Sequence, residues 1–533
     1  VTVIRTKVDR TAPDFQRKRT GMMELLDQLD ALLEQSRAGG GESKVARHRK
    51  RGKLLPRERI EQLLDRDSAF LELSPFAAYG TDYELGASVV TGIGVVEGVE
   101  CVIIATDPTI RGGTINPFTG KRSTRALEVA ETNRMPLVWM VESGGADLPK
   151  QAEIFIPGGD TFRRLTSLSR QGIPTVSIVF GNSTAGGAYI PGMCDWNVFI
   201  QERSKVFLGG PPLVKMATGE ESDDESLGGA DMHARTSGLA DYLAADEPDA
   251  LRLGRQVVRR LNWRKAGPGP TRLPVREPLA PIDDLAGIAS IDLKEPFDMR
   301  EVIARILDGS DYDEFKPLYG TSLTTGWGAI HGFPVGIIAN TQGILFSEEA
   351  QKGTQFIQLT NRMDVPLLFI HNVTGFMVGK EYEQKGIIKH GAQMINAVTN
   401  STVPHLALIA GGSYGAGNYG MSGRAYNPRF VFAWPNAKLA VMGPQQLAGV
   451  LSIVARAAAE AKGKAYDEDF DAAMRKAVEE QIERESLALA NSGLLYDDGI
   501  IDPRDTRTAL GLALSAVHSG TVEGADGYGV FRM

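Results

Sequence analysis

The sequence predicts an α/β fold built from two similar halves, and three observations predict it. From about Phe70 onward, short β-branched runs alternate with helical ones, the pattern of a mainly parallel sheet covered by helices. Five prolines in the 16 residues 266–281 then read as a linker. Beyond it the text begins again. Thr132-Asn-Arg-Met135 recurs as Thr360-Asn-Arg-Met363, Gly92–Gly98 as Gly326–Gly332, Val102-Ile-Ile-Ala105 as Gly336-Ile-Ile-Ala339, and Gly181–Tyr189 as Gly411–Tyr419. The four matches keep their order at offsets of 228 to 234 residues, which marks an internal repeat. The expected organisation is an N-terminal domain over 1–265, a Pro/Gly linker over 266–281 and a C-terminal domain over 282–533.

Each element has its own signal. Thr20–Glu34 carries Leu25, Leu26, Leu29, Leu32 and Leu33 at helical spacing. A basic stretch follows, Lys44, Arg47, His48, Arg49, Lys50, Arg51 and Lys53, which reads either as a solvated face or as a contact to phosphates. Val102–Ala105, Leu137–Glu142, Thr175–Gly181 and Trp196–Gln201 read as buried strands, and Ser123–Asn133 as a helix between two of them. Pro444–Gly493 reads as two long helical segments rich in Ala, Glu and Lys.

Composition removes several classes. The 533 residues carry 58 Lys+Arg against 66 Asp+Glu, a net charge of −8, so no basic face for bulk nucleic-acid binding is indicated. Cys101 and Cys194 are too few for a disulfide framework or a Cys₄ zinc ribbon. No run approaches the roughly 20 apolar residues of a membrane span. Val1–Thr20 lacks the apolar core of a secretory signal. A cytoplasmic protein is expected, with the mitochondrial matrix as the alternative if a transit peptide has been removed. The 60 glycines are the surplus.

Part of that surplus sits at predicted strand ends, twice per half: Ser143-Gly-Gly-Ala146 and Thr184–Ala188, then Val373–Phe376 and Tyr414–Asn418. Glycine lets backbone N–H groups approach a ligand closely. At a helix start those groups are unpaired donors at the positive end of a dipole. Two converging on one point make an oxyanion hole, worth roughly 3–4 kcal/mol per donor. A single such cluster is more often a tight turn, but a matched pair in each half favours the functional meaning.

Two other motifs share these residues. Gly415-Ala-Gly417-Asn-Tyr-Gly420 has the dinucleotide spacing, which requires an acid about 20 residues on. No Asp or Glu occurs between Gln384 and Ala459, so that motif fails. The six charges of this stretch, Lys385, Lys389, Arg424, Arg429, Lys438 and Arg456, are all positive, which favours an anion there or simply marks a buried core. Gly411-Gly-Ser413-Tyr-Gly415, with His518 downstream, fits a nucleophile elbow, so a serine hydrolase using Ser413 is the alternative function. Seven scattered histidines show no ligand spacing, so no metal is expected. Asp223-Asp224 and Asp497-Asp498 read as solvated or capping pairs. With so few acids and bases in place, proton transfer falls to a cofactor.

Four long motifs carry a resemblance: Phe207-Leu-Gly-Gly-Pro-Pro-Leu-Val-Lys-Met-Ala-Thr-Gly-Glu220, Leu227-Gly-Gly-Ala-Asp231, Gly411-Gly-Ser-Tyr-Gly-Ala-Gly-Asn-Tyr-Gly-Met421 and Asp498-Gly-Ile-Ile-Asp-Pro-Arg-Asp-Thr-Arg507. From about Arg47 to Met533 the chain resembles the carboxyltransferase (β) subunit of biotin-dependent acyl-CoA carboxylases, nearest the methylcrotonoyl-CoA and geranyl-CoA branch. The resemblance implies two homologous crotonase-like (ClpP-type) spiral domains from an internal duplication, with helical extensions. It also implies a homo-hexamer whose active site takes the N-terminal half of one subunit and the C-terminal half of its neighbour. Acyl-CoA, a coenzyme A thioester, binds the first half, and carboxybiotin the second. Carried over, Gly186 and Gly187 hold the thioester oxyanion as it becomes an enolate, and Ala416 and Gly417 hold the ureido oxygen of biotin. Gly144, Gly145, Ala146, Gly375, Phe376 and Tyr419 line the same pockets. Tyr419 departs from the Asp of acetyl- and propionyl-CoA enzymes, which points to a branched, unsaturated or longer acyl group such as 3-methylcrotonoyl. Glu153–Leu165 departs from the usual methylcrotonoyl-CoA text. No Met-Lys-Met biotin attachment site and no ATP-grasp segment occur, so biotin arrives on a partner α subunit with biotin carboxylase and carrier functions.

Overall fold

The computed structural model describes residues 2–271, 274–463 and 465–533; two positions of the expected linker, 272 and 273, lie outside this description. The chain divides into two compact units, one of residues 31–267 with 518–520 and one of residues 1–30, 268–517 and 521–533. This differs from the expected 1–265 boundary at the N-terminus. Helix α1 (Pro13–Arg37) is longer than the leucine spacing marks, and its first part belongs with the C-terminal residues. The cause is packing: Thr2–Val3 pairs with Asp311 and Tyr312, and Phe15 lies where a Cβ on Gly287 would stand at 2.5 Å.

The first unit is organised by a sheet of β1 (Phe70–Leu73), β2 (Val89–Val96), β3 (Val99–Thr106), β4 (Leu137–Ser143), β5 (Thr175–Thr184), β6 (Trp196–Ile200), β7 (Lys205–Phe207) and β8 (Tyr242–Ala244). β1, β2 and β3 are antiparallel neighbours. β3, β4, β5, β6 and β8 then follow in parallel, and β7 pairs with the far end of β5. The central strands read as continuous apolar runs because both faces are covered, as parallel sheets require. Helix α2 (Glu42–Lys50) carries most of the basic stretch. Helix α3 (Pro117–Asn133) starts where the Asn116 side chain accepts from Phe118 N and Thr119 N, and stops at Arg134 in the left-handed region. Helix α4 (Gln151–Arg170) precedes β5.

The second unit repeats this order with β9 (Asp311–Phe315), β10 (Leu323–Ile330), β11 (Phe333–Asn340), β12 (Leu367–Val373), β13 (His405–Tyr414), β14 (Phe430–Ala433), β15 (Lys438–Ala440) and β16 (Gly499–Ile500). The pairings are the same two antiparallel contacts followed by the same parallel series, with β15 on the far end of β13 as β7 is on β5. Even an irregularity recurs. The β4–β5 register slips between Val141 and Ser143 to pair Ser143 with Ser183, and β12–β13 slips between His371 and Val373 to pair Val373 with Ser413. The repeated Thr-Asn-Arg-Met text has one job in both places: Asn133 Nδ2 donates to Val129 O and Asn361 Nδ2 to Ile357 O, each at 2.9 Å. Helices α5 (Gly415–Gly420) and α6 (Pro444–Ala461) follow β13 and β15.

Candidate active site

In the first unit the chain leaves β5 through Ala185, whose φ is +52°, and winds into a short turn over Ala185–Ala188 before the helix Tyr189–Met193. Gly186 is exposed and Gly187 buried. A Cβ on Gly187 would stand 3.2 Å from Ser183 Oγ and 3.3 Å from Ser143 Oγ, so the turn packs tightly against β4. A Cβ on Gly186 would meet only the tip of Phe162, at 3.8 Å. Phe162 in turn contacts Tyr189, with ring centroids 5.7 Å apart. The Gly144-Gly145 turn lies alongside, a Cβ on Gly145 coming within 3.7 Å of the Ala185 methyl. Gly144 N donates to Gly112 O and Gly145 N to Ser143 Oγ, so these two glycines line the place without offering donors to it. Ala146 is exposed beside them.

The second unit builds the same turn. Gly415 has φ +53°, Ala416 is exposed and Gly417 is buried. A Cβ on Gly417 would stand 2.7 Å from Val373 Cγ2 and 3.2 Å from Gly375 Cα. Phe376 lies under α5, its ring tip 3.2 Å from the Cβ position of Gly420. Tyr419 is half-exposed against Tyr426, with ring centroids 5.7 Å apart. The structure thus gathers Gly144, Gly145, Gly186 and Gly187 in one unit and Gly375, Phe376, Ala416 and Gly417 in the other. In both, a chain start that leaves its first N–H groups without helical partners follows a long parallel strand.

A cavity of about 250 Å³ adjoins the first turn, lined by Lys44, Arg47, His48, Arg51 and Lys53 together with Ser143, Gly144 and Asn182. The basic stretch was legible in the sequence, but its position beside Gly144 is a tertiary fact. Lys53 pairs with Glu142, and Arg59 bridges Glu142 at 3.0 Å and Glu247 at 2.9 Å. Burial works to raise the Glu142 pKa, but Arg59 and Lys53 hold it below the usual carboxylate range. Among the described residues Lys44, Arg47 and Arg51 have no carboxylate partner, so the cavity keeps a positive rim.

The one-signed charge of residues 384–459 is largely cancelled by acids from outside it: Arg424 pairs with Asp498 at 2.9 Å, Lys385 with Glu381, Lys438 with Glu483 and Arg456 with Glu468. Asp223 does cap a helix, accepting from Glu225 N and Ser226 N, but Asp497 and Asp498 are buried rather than solvated. Ser413 is no open nucleophile. It is 1 % exposed, with its Oγ 2.9 Å from His371 Nδ1 and accepting from Asn418 Nδ2 at 2.8 Å. His518 belongs to the other unit. The hydrolase alternative has no support.

The atoms nearest the Cβ positions of Gly186 and Gly187 come from Phe162, Ser143 and Ser183, and those nearest the Cβ position of Gly417 from Val373 and Gly375. Such a pair is suited to holding developing oxyanions, not to moving protons through side chains. That is the class of an acyl- or carboxyl-transferring α/β enzyme. The chain belongs to the carboxyl transferase domain family, whose model matches residues 47–525. It is 65 % identical, over the full length of both chains, to a Mycobacterium tuberculosis protein named as a "probable biotin-dependent acyl-coenzyme A carboxylase beta2 subunit". It is 47 % identical to the mitochondrial methylcrotonoyl-CoA carboxylase beta chain of Dictyostelium discoideum, over 99 % of this chain and 90 % of that one. The crystal structure of the Pseudomonas aeruginosa geranyl-CoA carboxylase beta subunit superposes with a TM-score of 0.89 at 41 % identity, covering 99 % of each chain. The protein is the carboxyltransferase component of a biotin-dependent acyl-CoA carboxylase. Among the described residues no helix is long and apolar enough to cross a membrane, and no cluster of metal-ligating side chains occurs.

Proposed function

We propose that the two glycine turns divide the reaction between them, each half descending from one duplicated crotonase-like domain. The carrying observation is that Gly187 and Gly417 occupy the same position on two sheets of one topology, each with its Cβ position crowded by the neighbouring strand. In the first unit the N–H groups at Gly186 and Gly187 hold the thioester oxygen as negative charge collects on it, lowering the barrier to enolate formation. Phe162 and Tyr189 flank the acyl group. The basic rim of Lys44, Arg47 and Arg51 takes the phosphates of coenzyme A. In the second unit the N–H groups at Ala416 and Gly417 fit a neutral ureido oxygen, a hydrogen-bond acceptor, and Phe376 and Tyr419 supply apolar walls. Carboxybiotin, carried by a partner α subunit, supplies the carboxyl group and the proton acceptor.

The substrate proposed is a branched, unsaturated or longer acyl-CoA such as 3-methylcrotonoyl-CoA, a choice supported by Tyr419 and by the methylcrotonoyl- and geranyl-CoA carboxylases among the relatives. The working assembly proposed is a homo-hexamer; the exposed apolar side chains Val450, Ile453 and Val454 on α6 and Leu213 and Met216 on Pro211–Thr218 support contact with further copies. The test is fixation of labelled bicarbonate by the complex with its α subunit over a panel of acyl-CoAs. Gly417→Val is expected to abolish acyl-CoA carboxylation while ATP-dependent biotin carboxylation continues; retained acyl-CoA carboxylation would refute the assignment.

A further inference from the structure

The two units differ at one buried place behind their turns. In the second, His371 on β12, Ser413 on β13 and Asn418 on α5 form a chain: Asn418 Nδ2 donates to Ser413 Oγ at 2.8 Å, and Ser413 Oγ lies 2.9 Å from His371 Nδ1. His371 is fully buried and its pKa is pushed down to about 4 by that burial, the Met421 backbone opposing, so the ring is neutral at physiological pH. A neutral Nδ1 can accept, which gives the single Ser413 hydroxyl proton a destination while its oxygen accepts from Asn418. Asn418 is half-buried, with Gly423 backed against its amide and Gly423 N donating to Asn418 O at 2.9 Å.

In the first unit the corresponding positions are Val141, Ser183 and Ala188, and no such chain can form. There Ser183 Oγ donates to Gly187 O at 2.8 Å instead. The serine is common to both halves, and the partners on either side of it are not.

We infer that His371, Ser413 and Asn418 are positioning residues for the biotin-side turn, locking α5 to two strands so that the N–H groups of Ala416 and Gly417 keep a fixed direction. None of the three touches substrate in this scheme. They act through α5, and the inference rests on the assignment of Ala416 and Gly417 made above. A turn aimed by three side chains can be misdirected without unfolding, which separates this role from core packing.

The experiment follows carboxyl transfer from a carboxylated acyl-CoA to free biotin, using the full chain and the variants Ser413→Ala, Asn418→Ala and both together, with Ser413→Thr as the conservative change. Thermal melts establish that each variant is folded, and half-buried Asn418 gives a usable variant should Ser413→Ala fail. The KM for biotin is expected to rise about tenfold in each single variant, since small misplacements of binding groups have effects of that order or larger. The double variant is expected to be no worse than the weaker single, Ser413→Thr to recover most of the loss, and the KM for the acyl-CoA to stay within twofold. An unchanged biotin KM, equal loss on both substrates, or multiplying effects in the double variant overturns the inference. Gly417→Val distinguishes the underlying assignment: if it leaves transfer intact, that assignment falls. If it abolishes transfer while Ser413→Ala and Asn418→Ala match the parent, only the positioning role falls.

Discussion

Ala185 holds a conformation that its residue type resists. Its φ of +52° matches the +53° of Gly415 at the same place in the other unit. The left-handed region costs a residue with a Cβ about 1–2 kcal/mol, and glycine gives back about 0.5–1 kcal/mol of that in chain entropy. Ala185→Gly is therefore expected to stabilise the protein by about 0.5–1 kcal/mol, read as a higher melting temperature. Gly415→Ala is expected to destabilise it, because its Cβ would also stand 3.0 Å from Val441 O. Asp497 gives a pH-dependent case. Burial pushes its pKa up from 3.8 to about 7, against the Ser492 hydroxyl and Arg424. Between these values the folded chain holds a proton that the unfolded chain has released, so this group's contribution to stability falls as pH rises through that window and stays lost above it. Asp497→Asn removes the slope. Its melting temperature is expected to gain on the parent from pH 4 to pH 8, and equal gains at both ends would refute the account. Neither residue was legible beforehand: the left-handed turn leaves no mark in Ala185's identity, and Asp497-Asp498 has the composition of a solvated loop.

At the level of elements the sequence was most readable where burial is two-sided. Val102–Ala105, Leu137–Glu142, Thr175–Gly181 and Trp196–Gln201 all fall within strands, extended or trimmed by a few residues, because a strand covered on both faces must be apolar throughout. The glycine turns were readable for the same reason, since each directly follows such a strand. Long-range partners were not. The charge of residues 384–459 could be counted, but Glu483, Glu468 and Asp498 arrive from elements outside the window. Likewise α2 advertised its charge but not its destination beside Ser143 and Gly144. That destination makes a prediction. Replacing Arg47 and Arg51 by Gln removes from the cavity rim two cations that have no carboxylate partner among the described residues. Hydrogen bonds to charged groups contribute about 1.5–3 kcal/mol each, so the KM for acyl-CoA is expected to rise at least tenfold per residue. An acyl-pantetheine substrate, which lacks the nucleotide phosphates, should be handled as the parent handles it; an equal penalty on both substrates would place the basic rim elsewhere in function.

At the scale of the whole molecule, the two large sheets share one pairing order, and the proposed homo-hexamer raises the question of whether a site draws its halves from one chain or two. Each unit carries one glycine turn, and each turn serves a different reactant in the proposed scheme. If a site takes its first half from one chain and its second half from another, defects in opposite halves can complement. Consider chains carrying Gly187→Val, which fills the first turn against Ser143 and Ser183, mixed equally with chains carrying Gly417→Val, which fills the second against Val373. Each homogeneous assembly has every site damaged once and is expected to be inactive. In randomly mixed assemblies a site is intact when its first half comes from a Gly417→Val chain and its second from a Gly187→Val chain, which happens for about a quarter of sites under closed symmetric association. Co-expression or unfolding and reassembly of the two variants, followed by labelled-bicarbonate fixation with the α subunit, is expected to recover about that fraction of parental activity. If each site belongs to one chain, every site stays damaged however the chains are mixed, and no activity returns. Mixing the assembled variants without subunit exchange should recover nothing in either case, which ties any recovery to shared sites.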